Sequence, residues 1–244
     1  MNGNIHVVTG FSASGKSTRV RELMEKEPGC ALLLEDKYFF YPRTLWAFAN
    51  RFLFKRELAP NQATAVCDVI HEVLLNDALR MAKNGSQVIV DFASSPETIS
   101  SLREAYKEAR KQGINFEITW VSCSEATRQK RSAERDTAWD RDLVGRTDYF
   151  AAVSKLEREM WVQAGDLLKG PMHIEMNDQD MPSRRPSAHW PSLALAKACL
   201  GMTGAPNSYA DALIRTANGD PTSKISASLR PSSGIDLRSF GLQH

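Results

Sequence analysis

Gly10-Phe11-Ser12-Ala13-Ser14-Gly15-Lys16-Ser17 is the stretch on which the reading of this 244-residue chain turns. It matches the phosphate-loop pattern GxxxxGK[ST] at every fixed position. Its glycines let successive backbone N–H groups curl around phosphate oxygens, and a helix starting at the loop adds its positive end. Gly10, Ser12, Ala13, Ser14, Gly15, Lys16, Ser17 and Thr18 are therefore the expected nucleotide contacts. Lys16 can reach the β- and γ-phosphates of ATP, and Ser17 can ligate Mg²⁺. Four fixed positions coincide by chance in roughly one chain per hundred of this length. The context lowers that further. Ile5-His6-Val7-Val8-Thr9 reads as a short strand before the loop, and a helix follows it up to Pro28-Gly29. An ordinary glycine-rich turn needs neither the lysine nor the serine.

Working outward, strand and helix patterns alternate. Ala31-Leu32-Leu33-Leu34 is a continuous apolar run, as expected of a strand buried on both faces. Two helices follow, about 44–56 and 61–83, divided by Pro60. Val88-Ile89-Val90 is the next strand, and Ser95-Pro96-Glu97 opens a helix with its proline where no N–H is needed. Phe116 to Val121 is a fourth strand, followed by a basic helix from about Ser124. A helix from about Thr147 to Leu168 and a strand at Met172–Met176 complete the series. Such alternation implies an α/β fold with a parallel sheet between two layers of helices.

Composition divides the chain near Met181. Residues 182–244 hold 10 Ser, 6 Pro and 5 Gly, and seven Lys or Arg against three Asp. Residues 1–181 are expected to form the nucleotide domain, and 182–244 a loop-rich cationic tail with one or two short helices. The partner of that tail is not legible. No run of 18 apolar residues exists, which excludes a membrane-spanning helix. The start of the chain lacks the build of a signal peptide. The four cysteines are scattered, without zinc or disulfide spacing, so a cytoplasmic location is expected.

Three landmarks bear on what is done with the nucleotide. Asp91 ends the strand Val88–Val90; there it either supports Mg²⁺, usually through water, or caps the turn at Ser94 and Ser95. Asp36 ends the leucine strand. Ligands of open α/β sheets sit at the carboxyl ends of strands, so Asp36 either takes a proton from an attacking hydroxyl or is a solvated turn residue. The basic helix carries Arg128, Lys130, Arg131 and Arg135. Arg131 and Arg135 share one face, suited to a transferring phosphoryl group or to plain solvent. His71 and Cys67, on the 61–83 helix, read as packed residues.

With these residues in place, the sequence resembles the P-loop kinases, and within them the polynucleotide-kinase and zeta-toxin-like branch, over about residues 4–177. Leu34-Glu35-Asp36 is similar to that branch's catalytic-Asp segment. Val90-Asp91-Phe92-Ala93-Ser94-Ser95-Pro96-Glu97 is similar to its third-strand segment, and Arg128–Arg135 to its arginine lid. The resemblance implies a three-layer sandwich with a five-stranded parallel sheet of order 2-3-1-4-5 and an Arg-bearing lid. It implies transfer of the γ-phosphoryl group of ATP to a hydroxyl, with Lys16, Asp36, Arg131 and Arg135 catalytic. Lys37 and Arg43 are placed on the acceptor side. The branch usually has an Arg soon after the Asp, whereas here Lys37-Tyr38-Phe39-Phe40-Tyr41-Pro42 intervenes. Those aromatics can stack a base or form the underside of the acceptor-side helices. A nucleic acid or nucleoside-type acceptor is expected first, as with phage DNA kinases acting on hydroxymethylated pyrimidines. A small metabolite such as a sugar, an antibiotic or a nucleotide sugar is the rival acceptor. A nucleotide-dependent switch is the rival of another class.

Overall fold

The computed structural model describes residues 3–38, 44, 47, 62–135, 145–179, 214 and 217–219, with only the backbone of 36 and 62–67. Arg43, Phe39–Tyr41, Trp46 and most of the tail lie outside the described residues. The elements in chain order are β1 (Asn4–Gly10), α1 (Lys16–Lys26), β2 (Ala31–Leu34), α2 (Glu35–Tyr38), α3 (Gln62–Lys83) and β3 (Gln87–Ala93). After them come α4 (Thr98–Lys111), β4 (Asn115–Ser122), α5 (Glu125–Arg135), α6 (Thr147–Gln163), α7 (Gly165–Leu168) and β5 (Met172–Met176).

The five strands form one sheet of order β2-β3-β1-β4-β5, with every pairing parallel. This is the P-loop kinase arrangement that the resemblance implied. β1 lies at the centre of the sheet and is buried on both faces. Ile5 and Val7 join a large cluster with Val90, Ile118, Trp120 and the helices α3, α4 and α6. Val8 faces the other way, into a smaller cluster with Val20 and Leu23 of α1, Ile89 and Val121. The period of two along each strand thus divides the core between the two sheet faces.

β2 departs from expectation. All four of its residues are half-buried rather than buried. The reason is topological: among the described residues β2 is an edge strand paired with β3 alone, so its apolar run is covered less completely. Asp36 also differs. It does not end the strand but is the second residue of α2, which begins at Glu35.

The tail residues Ile214 and Ala217 pack on the main cluster, and Lys155 of α6 donates a hydrogen bond to the Ala217 carbonyl. Among the described residues no helix is long and apolar enough to cross a membrane.

Candidate active site

The sheet's carboxyl edge gathers four segments. The phosphate loop follows β1, Glu35 follows β2, Asp91 to Ser95 close β3, and α5 follows β4. Gly10 ends β1 with φ +146°, and Gly15 caps α1 with φ +104°. These are backbone states that side chains rarely adopt. A Cβ on Gly10 would lie 2.1 Å from the Val121 carbonyl oxygen, and one on Gly15 would lie 2.6 Å from Asn177 Nδ2. Neither Gly10 nor its partner is the far end of a flexible side chain, because the clash is with backbone. Gly10→Ala is therefore expected to lower stability by more than about 2 kcal/mol, read as a fall in the denaturant midpoint at unchanged slope.

Inside the loop, Lys16 Nζ donates to the Phe11 carbonyl at 3.1 Å, and the Ser14 N–H reaches the same oxygen at 3.3 Å. Burial pushes the Lys16 ammonium below its usual value. Asp91 opposes this most strongly, Arg135 and Arg128 add to it, and Glu35 opposes it more weakly. A half-buried ammonium that has lost hydration gains from a phosphate anion, which replaces that hydration. Ala13 takes φ 62°, the one described non-glycine residue in the left-handed region. Ser14 Oγ is buried without a hydrogen-bond partner. Glycines where a side chain would collide, a partnerless hydroxyl and a desolvated lysine together fit a polyphosphate. Ser17, exposed at the start of α1, and Asp91, half-buried in β3, carry hard oxygen donors of the kind that Mg²⁺ accepts.

Asp91 pairs in register with Val8 of β1 and with Leu34 of β2, so it lies one strand from the loop and one strand from the Glu35-Asp36 corner. The carboxylate whose surroundings are described there is Glu35, which the sequence reading passed over. Glu35 is buried. Its Oε2 accepts from the Ala93 N–H at 2.6 Å, and its Oε1 lies 3.3 Å from His71 Nε2. His71 is fully buried on α3, with its ring 4.3 Å from that of Phe92. Expected as a packed residue, it is packed, and it also partners a carboxylate. A helical stripe of Ile70, Leu74 and Ala78 hid it. His71→Leu leaves a buried carboxylate oxygen short of a donor and should cost about 1–3 kcal/mol. His71→Gln, whose amide can donate, should lose less; paired thermal melts check this.

Lys37 is exposed on α2. Tyr38 is buried, and its hydroxyl donates to Asp77 at 3.0 Å. Of the aromatic run it is therefore a core residue and not a stacking platform.

The arginine helix does lie against the loop, but its three arginines do different things. Arg131 Nη1 donates to the carbonyls of Ala13 (3.3 Å) and Ser14 (3.0 Å), and its Nη2 to Asn177 and Gln179. It joins the outer face of the loop to the segment after β5. Asp178 of that segment accepts from the Ser124 N–H at the head of α5, and this holds its carboxyl below the usual range. Arg135 acts on Lys16 through its charge. Arg128, the first residue of the segment that resembles the lid, is buried.

No curated protein matches the chain in sequence. Solved structures of similar fold include an unliganded sugar kinase from Janibacter sp. HTCC2649, 14% identical, with a TM-score of 0.45 over 84% of this chain and 98% of that one. Deoxyadenosine kinase from M. mycoides with bound dATP is 15% identical, with a TM-score of 0.42 over 81% of this chain and 99% of its own. The PezAT chromosomal toxin-antitoxin system of Streptococcus pneumoniae is 8% identical, with a TM-score of 0.46 over 89% of this chain and 85% of that one. The family model described as an AAA domain, AAA_33, matches residues 5–147, which run from β1 through the phosphate loop and the arginine helix to the first residue of α6; the chain belongs to that family.

Proposed function

We propose that this protein is a phosphotransferase that moves the γ-phosphoryl group of ATP to a hydroxyl. The observation that carries the proposal is the convergence at one sheet edge of three parts. They are a phosphate loop with a desolvated lysine, carboxylates after β2 and within β3, and an arginine helix bonded to the loop's outer carbonyls. A nucleotide switch requires the first part and has no use for an acceptor-side carboxylate.

In this reading Lys16 binds the β- and γ-phosphates. The N–H groups of the loop hold the rest of the triphosphate. Ser17 and Asp91 would hold Mg²⁺, which would supply charge neutralisation at the phosphates. Asp36 takes the proton of the attacking hydroxyl. Arg135 faces the equatorial oxygens that gather charge in transfer. Arg131 joins it once its bonds to Asn177 and Gln179 are exchanged for phosphate. Lys37 and Arg43 serve the acceptor side.

The acceptor we favour is a nucleic acid or nucleoside-type hydroxyl, a 5′-OH or a hydroxymethylated base in DNA. The aromatic residues that follow Tyr38 and the seven cations of the tail support it. Residues 1–181 are the proposed kinase unit, with 182–244 as an arm that returns to the core at Ala217. The test is a panel of single-stranded, duplex and base-hydroxymethylated DNA, nucleosides and sugars, incubated with γ-labelled ATP. Label in DNA, with binding that weakens steeply as salt rises, supports this acceptor. Label confined to a sugar or another small metabolite contradicts it while leaving the phosphotransferase reading intact.

A further inference from the structure

Arg128 and Glu157 are among the most deeply buried charged residues described, 1% and 3% exposed. Arg128 Nη2 donates to Glu157 Oε2 at 3.0 Å and to the Cys123 carbonyl, while Nη1 donates to the Ser12 carbonyl at 3.2 Å. Glu157 is filled on its other sides by Trp120 Nε1 at 2.8 Å and Ser122 Oγ at 2.7 Å. One hydrogen-bonded unit thus joins β4, α5 and α6 to the phosphate loop. Stability alone does not favour such a unit, since well-packed apolar residues commonly replace a buried ion pair without loss.

The contact with Ser12 supplies a reason for it. In a planar trans peptide the C=O and the N–H point in opposite directions. Holding the Ser12 carbonyl outward, toward Arg128, turns the N–H of the same peptide, that of Ala13, toward the inside of the loop. Ala13 is also the residue held at positive φ, so this peptide has an intrinsic preference to overcome. Glu157 neutralises and orients the guanidinium, which leaves Arg128 a fixed fork and not a mobile lid charge.

We propose that Arg128, held by Glu157, is a positioning residue for the triphosphate, setting the peptide orientation of the phosphate loop from behind. The proposal rests on the reading of that loop as an ATP site. Arg128→Lys keeps a charge beside Glu157 but replaces the fork with a point donor that cannot span Glu157 and Ser12 together. It should raise the Kd for Mg·ATP and for tripolyphosphate by the same factor, about tenfold or more, the scale of one charge-assisted hydrogen bond, with the melting midpoint of the unliganded protein nearly unchanged. A folded Arg128→Lys protein that binds both with wild-type affinity overturns the proposal. If that variant does not fold, Glu157→Gln is read in its place; it keeps the guanidinium and removes the charge that orients it. A severalfold loss for both ligands then supports the proposal, and unchanged affinity overturns it. Failure of both variants to fold makes the pair an element of stability and overturns the positioning role. Wild-type protein that binds neither ligand overturns this proposal together with the ATP site. Wild-type protein that binds Mg·ATP but labels no acceptor overturns the kinase reading alone.

Discussion

Lys16→Ala is expected to fold normally and to turn over at least about a hundredfold more slowly, the scale of removing one preorganised charge contact from a phosphoryl-transfer site. The fold should survive for a local reason. Lys16 Nζ bonds one described acceptor, the Phe11 carbonyl, and the Ser14 N–H still serves that oxygen after the substitution. Removing an ammonium that burial already disfavours relieves a desolvation cost. Circular dichroism and melting of the variant, beside its kcat, separate the two effects. Normal turnover by a folded Lys16→Ala protein would remove the phosphate loop from the chemistry.

The second large effect separates two carboxylates. Asp36→Asn should bind Mg·ATP within about twofold of wild type and lose transfer by about 10²- to 10⁴-fold, because the acceptor proton has lost its base. Asp91→Asn should instead raise the Mg²⁺ concentration needed for half-maximal rate by about tenfold or more, and recover part of its rate as the metal is increased. Asp91 is also the strongest influence keeping Lys16 charged, so some loss should persist at saturating metal. Mg²⁺ titrations of both variants check this, and the same metal response in both would mean that the roles are not divided between them.

How much of this the chain disclosed depends on the kind of information each residue carries. The phosphate loop was readable because its function is built into local backbone chemistry: glycines at positive φ and a lysine at the head of a helix need no tertiary partner to be recognised. The sheet order and the five strands followed from apolar runs and the family pattern, and they are as expected. The half-burial of β2 was not readable, because an apolar tetrapeptide looks the same at a sheet's edge as at its centre. The Glu35–His71 pair was hidden for a related reason, since its members lie 36 residues apart and the motif around Glu35 draws the eye to Asp36.

The burial of Arg128 was not readable, because a basic helix gives no sign of which arginine turns inward. A sign did exist on α6. Glu157 interrupts the apolar stripe of Val153, Leu156 and Met160, and a charge on the buried face of a helix must find a partner. That position on α6 calls for a buried cation on a neighbouring element, and Arg128 is that cation.

The destination of the γ-phosphoryl group separates a kinase from a switch most directly. With γ-labelled ATP, Mg²⁺ and the acceptor panel, wild-type protein is predicted to place label covalently on a hydroxyl-bearing acceptor, and Lys16→Ala and Asp36→Asn to place almost none there. Label recovered from wild type only as inorganic phosphate, whatever acceptor is offered, would contradict the phosphotransferase reading and favour a nucleotide-dependent switch.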